Sequence, residues 1–265
     1  EEKKNGLLFY YLFCFFYCSL FCALLLSVFY TVLSAPLLKI LGANSTTVAA
    51  TAEYLKWTVS FGAVPSILNV VLAYLVRSEG SSLNAGIGTM SGCLLNILLD
   101  PLFILPDFLN MGAAGAGLAT FISNCVACIY FFIFLFVKRQ KTYVCINPKK
   151  LNVNKAIVSG VCIVGIPAAI QNLLNVTGMT VLNNFTSSFG SDAVAAMGIA
   201  QKINMVPMYI ELGFSQGIMP LIGYNYASKN TDRMKKTVTF SAKLSVIFIT
   251  SMSVIYFIFA PSITT

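Results

Sequence analysis

Two ionisable side chains, Lys202 and Glu211, stand inside an otherwise apolar stretch between Ala193 and Tyr224. On a helix, nine residues place them about 13.5 Å apart along the axis and on nearly opposite faces. They cannot pair with each other and must face different partners. A carboxylate removed from water is stable only when protonated or beside a cation, and it can exchange one for the other. Glu211 is therefore the leading candidate for binding a cationic group or a proton, with a structural contact to a neighbouring helix as the alternative. The long stem of Lys202 suits an interhelical contact. Gln171, Asn172 and Asn175 form an amide group at i, i+1 and i+4, suited to lining a cavity, and Gln216 lies five residues beyond Glu211. Asn69 and Asn96 are further amides that either bind a ligand or bridge helices. Asp100 directly precedes Pro101, a pair that favours turn initiation.

Other chemistries are excluded. The chain contains no histidine, which removes Ser-His-Asp triads, H-E-x-x-H zinc sites and His-ligated haem. It has no G-x-S-x-G and no paired intramembrane aspartates, so an enzyme is not expected. Cys14, Cys18 and Cys22 stack at i, i+4 and i+8, and Cys125 and Cys128 form a C-x-x-C. A reactive C-x-x-C needs a helix N-terminus and solvent access; here the thiols read as small apolar filler, with no metal site. The glycines of 112–117 and Gly86-Ile-Gly88 are not followed by Gly-Lys-Ser/Thr, so they permit close helix approach rather than phosphate binding. Pro65 and Pro207 are expected to kink their helices. Met179, Met197, Met205, Met208 and Met219 are packing residues, a few of which suit an adaptable wall for flat aromatic cations.

The elements that must position these residues follow from composition. Of 265 residues, 57% are hydrophobic and only 10% charged, against about 25% charged in soluble domains. The 21 Phe and 12 Tyr fit a lipid-facing surface with interfacial belts. The chain is an all-α polytopic membrane protein, because no segment shows the ten-residue alternation of a barrel. Runs of about 20 apolar residues cross the hydrocarbon core, and seven such spans are predicted: Leu7 to Ile40, Tyr54 to Val76, Leu83 to Leu105, Ala113 to Val137, Ala156 to Phe185, Ala193 to Tyr224, and Thr237 to Ala260.

Basic residues alternate sharply between loops. Lys3, Lys4, Arg77, the run Lys138, Arg139, Lys141, Lys149, Lys150 and Lys155, and the group Lys229, Arg233, Lys235, Lys236 and Lys243 place 14 of the 17 on one side. The positive-inside rule makes that side, and the N-terminus, cytoplasmic. The net charge of +8 is thus an orientation signal and implies no nucleic-acid partner. The opening Glu1-Glu2-Lys3-Lys4-Asn5-Gly6 reads as a loop cut just before a helix rather than a secretory signal.

A weak internal repeat points the same way. Span one ends in Ala35-Pro36 and span seven in Ala260-Pro261, an offset of 225 residues at which Lys4-Asn5 falls on Lys229-Asn230. Such an offset implies two six-span halves and a complete protein of roughly 440 residues and twelve helices. Residues 1–150 would form four helices of the N-terminal lobe plus the inter-lobe loop, and 151–265 the first three helices of the C-terminal lobe.

Four stretches carry a family resemblance. Gly190-Ser-Asp192-Ala-Val-Ala-Ala-Met-Gly198, followed by Gly213-Phe-Ser-Gln216-Gly217-Ile-Met-Pro220-Leu-Ile-Gly223-Tyr224-Asn225-Tyr226, resembles the eighth helix of the multidrug and toxic compound extrusion (MATE) family. Gly165-Ile-Pro167 resembles the opening of the seventh. Leu75-Val-Arg77-Ser-Glu79-Gly80 resembles the exit of the fourth. Asn96-Ile-Leu-Leu-Asp100-Pro101 and Met111-Gly112-Ala-Ala-Gly115-Ala-Gly117-Leu-Ala-Thr120 resemble the turn between the fifth and sixth. By this resemblance the chain covers helices three to nine, and Arg77, Glu79, Asn96, Asp100, Pro167, Pro207, Tyr224, Asn225 and Lys202 take structural or gating roles.

The resemblance implies an antiporter in the plasma membrane that expels small organic cations against inward H+ or Na+, by rocking of two lobes. It implies no cofactor and a monomer at full length. The first family helix, which commonly carries a coupling acid, has no counterpart here, and the seventh reads Ala169-Ile-Gln171-Asn172-Leu-Leu-Asn175 where an acid often stands. A flippase or exporter of lipid-linked or metabolite cargo is the alternative. It would need many cations in the spans, where Lys202 stands nearly alone. A seven-span receptor or scaffold suits the odd count but not the repeat. The intact mass of the protein from its native membrane is expected to correspond to roughly 440 residues; a mass of 28.7 kDa would remove the two-lobe reading.

Overall fold

The computed structural model describes residues 2–40, 48–106, 108–138 and 155–264. Among these no strand occurs. The helices are α1 (Glu2–Ile40), α2 (Val48–Leu55), a π-helical segment (Lys56–Phe61), α3 (Ala63–Ser78), α4 (Ser82–Ile104), α5 (Gly112–Val137), α6 (Lys155–Ser187), α7 (Ser191–Ala227) and α8 (Thr231–Thr264). The all-α membrane architecture read from the sequence is what the chain adopts. Stretches of α1, α4, α5, α6 and α8 are long and apolar enough to span a bilayer, and the pair α2–α3 adds a sixth as one bent span. The remaining predicted span is α7, a continuous helix of 37 residues. It falls short on apolarity because Lys202, Glu211 and several amides interrupt it. The basic residues Arg139, Lys141, Lys149 and Lys150 lie outside the described residues.

The expectation at Pro65 is corrected in detail. The bend in the second span, 53°, is not centred on Pro65. It lies at the junction of the π-helical turn and Gly62. A π-turn inserts a residue into the ladder and redirects the axis. Pro65 sits in the first turn of α3, where a missing N–H costs nothing. Gly62 is required at the bend, since a Cβ there would fall 2.5 Å from the Trp57 carbonyl oxygen. Pro207 lies inside the 37-residue helix α7. The kink of α1 is at Leu33 (φ −107°, ψ 20°), one turn before Pro36, whose ring displaces the preceding carbonyls.

The chain divides into two compact units, Glu1–Ile163 and Val164–Thr265. In the first, α3 is the central element. Its Leu68, Val71, Leu72, Leu75 and Val76 pack with Phe16 of α1, and with Phe131 and Leu135 of α5. The α4–α5 contact is closest where side chains vanish. A Cβ on Gly88 would meet the Phe131 ring at 2.5 Å, and one on Gly115 the Phe103 carbonyl oxygen at 2.5 Å. Small residues bring membrane helices into dense contact when the apolar effect cannot. The Ser27 hydroxyl of α1 donates to the Ser60 carbonyl, and the Cys128 thiol to the Pro65 carbonyl at 3.2 Å. Cys128 is thus packed filler, as read from the sequence.

In the second unit α7 and α8 form a hairpin. The elbow is fixed by Asn230 N–H donating to the Asn225 carbonyl at 2.9 Å, and Lys229 N–H to that of Tyr226 at 3.1 Å. Lys229 adopts φ 57°. Farther along, the Tyr256 hydroxyl donates to the Ile203 carbonyl at 3.1 Å.

Gly88→Ala is expected to lower stability by ~1–3 kcal/mol, because the Phe131 ring it would strike is fully buried. Gly86→Ala, with open space around it, is expected to be neutral or slightly stabilising. Thermal unfolding in a fixed detergent checks both; equal melting of the two variants would refute the close-packed α4–α5 contact.

Candidate functional site

The groups with chemical potential fall at several separate places. Glu211 is half-buried on α7. Its position follows from spacing: Ile210, Glu211 and Phe214 occupy one side of α7, and Leu244, Ser245 and Phe248 one side of α8. Together they line a cavity of about 230 Å³. A carboxylate that shares a cavity with two aromatic rings and a hydroxyl can hold a cationic group by charge and by ring-face attraction. Lys202, nine residues earlier, is exposed, and Gln216 is not among the residues lining the cavity.

The amides of α6 make a different surface. Gln171 and Asn175 share an open groove of about 570 Å³ with Pro167, Ile170 and Leu174. Asn172 turns back on its own helix, donating to the Ala168 carbonyl at 3.0 Å.

Asn69 belongs to the first unit. Its amide donates to the Asn124 side-chain oxygen at 2.9 Å, and Asn124 donates in turn to the Thr120 carbonyl at 3.0 Å. The pair bridges α3 and α5. The Asn69 side-chain oxygen is buried with no partner, as are the Ser123 hydroxyl and the Gln201 amide nitrogen.

Asp100 departs from expectation. Asn96 donates to it at 3.3 Å along α4, and the helix runs through Pro101 to Ile104. The turn begins only at Leu105, where Met111 N–H donates to the Phe103 carbonyl at 2.9 Å and Leu109 N–H to that of Leu102 at 3.3 Å. Proline ends a helix less abruptly here because only one ladder bond is lost.

Arg77 closes α3 with its guanidinium 5.4 Å from the Tyr74 ring centre. Glu79 caps the helix, donating its N–H to the Arg77 carbonyl. Gly80 follows at φ 80°, a conformation that favours glycine. Tyr224 is exposed, whereas Asn225 is only 1% exposed and donates to the Leu221 carbonyl at 2.8 Å.

A family model for MatE matches this chain twice, over residues 4–102 and 167–265. The chain belongs to the MatE family. Among curated relatives, it is 37% identical over 226 residues to the multidrug export protein MepA of Staphylococcus aureus (strain NCTC 8325 / PS 47), covering 84% of this chain and 48% of that one. The Staphylococcus haemolyticus (strain JCSC1435) protein of the same name is 35% identical over 222 residues, covering 83% and 47%. The chain thus spans about half the length of the curated relatives it matches. Among solved structures, a MOP superfamily transporter from Pyrococcus furiosus, described by the reverse polarity of its binding pocket, gives a TM-score of 0.88 at 26% identity, over 98% of this chain and 57% of that one. An outward-facing MATE multidrug resistance transporter gives 0.86 at 26% identity, over 96% and 55%.

Within this MatE chain, Glu211, Lys202 and the α6 amides lie in the second matched stretch, and Asn69, Asn96 and Asp100 in the first. Asn124, Phe214, Ser245 and Phe248 were not singled out from the sequence. Phe214 follows Glu211 at i+3 and was legible in principle. The others depend on which helices meet.

Asn69→Ala and Asn124→Ala are each expected to destabilise the MatE chain by ~1–3 kcal/mol, by leaving a buried amide unpaired. The double variant should cost clearly less than the sum. Additive losses in chemical or thermal denaturation would dissolve the bridge.

Proposed function

We propose that the chain is the central part of a multidrug exporter that expels small organic cations by antiport against H+ or Na+. In this reading, residues 1–150 and 151–265 belong to two lobes of a twelve-helix protein, alternately opening a shared pathway to either side of the plasma membrane. The N-terminus of the chain is cytoplasmic, and the complete protein is monomeric. One family model matching on both sides of the 138–155 stretch is what a duplicated unit produces and supports the two-lobe reading. The names of the staphylococcal relatives support the cargo class.

The observation that carries the proposal is that Glu211 lines one cavity with Phe214 and Phe248. Pockets that enclose drug-sized ligands measure about 300–1,000 Å³. At about 230 Å³ the Glu211 cavity admits a charged end group, a proton or an inorganic cation rather than a whole drug. The groove at Gln171 and Asn175, about 570 Å³, has the volume for a flat aromatic body. Ionised Glu211 holds a cation; protonation removes the charge and releases it. No cofactor enters this exchange. Binding of a proton or a cation at one carboxylate is mutually exclusive, which is the requirement for antiport.

The second reading, an exporter of anionic lipid-linked or metabolite cargo, draws on the Pyrococcus furiosus neighbour and its reversed pocket polarity. Such cargo would need a row of cations inside the spans, whereas the predicted spans hold Lys39, Lys56, Lys202 and Lys243, all but Lys202 within two turns of a span end.

Energised vesicles containing the full-length protein and a fluorescent lipophilic cation test the proposal. Gradient-dependent efflux is expected, and Glu211→Gln should reduce it at least tenfold, equivalent to about 1.4 kcal/mol or more. Unchanged flux in Glu211→Gln would remove the residue from the site. No flux in the unaltered protein would remove the antiporter.

A further inference from the structure

The face of α8 turned away from α7 carries a pattern that the transport reading leaves unused. Arg233, Lys236, Phe240 and Lys243 follow one another at intervals of three, four and three residues, which sets them in one stripe along the helix. All four are exposed, Phe240 to 68%. The stripe continues as a shallow apolar groove of about 530 Å³ lined by Val246, Ile247, Thr250, Ser251, Val254 and Ile255. Of the α8 residues that meet the Glu211 cavity, Ser245 and Phe248 lie on another side of the helix and Leu244 lies at the border between the two.

A cationic end running directly into an apolar trough matches an amphiphile with a negative head and a hydrocarbon tail. We infer that this face binds one anionic phospholipid, its phosphate at Arg233, Lys236 and Lys243 and an acyl chain along the groove.

The dimensions agree. With 34 residues, α8 is about 51 Å long, against a hydrocarbon core of about 30 Å. Counting about 20 residues back from Phe259, the end of its apolar window, puts the membrane boundary near Phe240. Arg233 and Lys236 stand in the headgroup layer, and Lys243 about one turn inside the core. Helical side chains lean toward the N-terminus, and a lysine stem extends along apolar surface to bring its ammonium to the interface. The stem of Lys243 is long enough to carry its ammonium toward the headgroup layer that holds Lys236. Asp232, the one acidic residue of α8, shares this end, so the stripe keeps a net charge of about +2. Lys235 points to a different side of the helix.

The test uses the full chain, delipidated in detergent and mixed with equal amounts of phosphatidylglycerol and phosphatidylcholine of identical acyl chains. Native mass spectrometry counts the lipid retained. Each basic residue near an anionic surface contributes about 1 kcal/mol, so a preference of about tenfold or more for phosphatidylglycerol is expected. Arg233→Gln/Lys236→Gln/Lys243→Gln should abolish the preference, and Lys235→Gln should keep it. Millimolar inorganic phosphate should displace nothing. Equal retention of the two lipids, an unchanged preference in the triple variant, or displacement by phosphate would overturn the inference.

A second readout does not depend on the triple variant folding. A photoreactive benzophenone side chain at Val254, in native membranes, should form an adduct with the mass of a phospholipid. An adduct with a protein segment would show that another helix covers this face.

Discussion

The lack of water inside the bilayer governs the rest of the structure. Backbone polar groups there must be bonded internally, which makes every described span a helix. The same condition removes the apolar drive that packs soluble helices, since lipid tails are as apolar as leucine. Association then depends on contact density and on interhelical hydrogen bonds. The first unit uses both. Gly88 and Gly115 let α4 and α5 approach to where a single Cβ would collide, while Asn69 and Asn124 exchange a hydrogen bond between α3 and α5. The bend at Gly62 belongs to the same logic: a π-turn and a first-turn proline redirect a span without leaving more than a few carbonyls to be satisfied.

That condition also separates polar groups that support the fold from those available for chemistry. Asn69 and Asn96 are each engaged with a neighbour, Asn124 and Asp100 respectively. Hydroxyls along the helices mostly donate to a carbonyl one turn back, as Thr120, Thr177 and Ser241 do. Glu211 is different in kind, a carboxylate that lines a cavity together with two aromatic rings.

Much of this was legible in the sequence, and what was not has a physical cause. Spans were readable because hydropathy over 20 residues averages out local detail; every predicted span overlaps a helix. The family was readable because Gly, Pro and amide positions around Gly213–Tyr226 and Asn96–Thr120 reflect backbone requirements rather than bulk composition. Local breaks were misread where two causes compete. Pro65 suggested a kink, but its place in the first turn of α3 made it harmless, and the π-turn before it has no composition signature. Asp100-Pro101 suggested a turn, yet one lost ladder bond did not outweigh the remaining turn of helix. The partner of Asn69 was invisible because azimuth on one helix says nothing about which residue of another helix meets it.

Periodicity explains how one helix can serve two environments. At 100° per residue, Leu244, Ser245 and Phe248 of α8 fall toward α7 and Glu211, while Lys236, Lys243, Ile247 and Val254 fall on the far side. The two faces meet along one edge, where Leu244 and Ile255 share nearly the same azimuth. The Tyr256–Ile203 hydrogen bond and the short elbow at 228–230 tie α8 to α7 at both ends of the hairpin, so α8 cannot tilt without carrying the wall of the Glu211 cavity. An occupant held on the outer face would resist that tilt in proportion to its grip. An anionic lipid on the outer face and a cation at Glu211, as proposed, would then load the same helix.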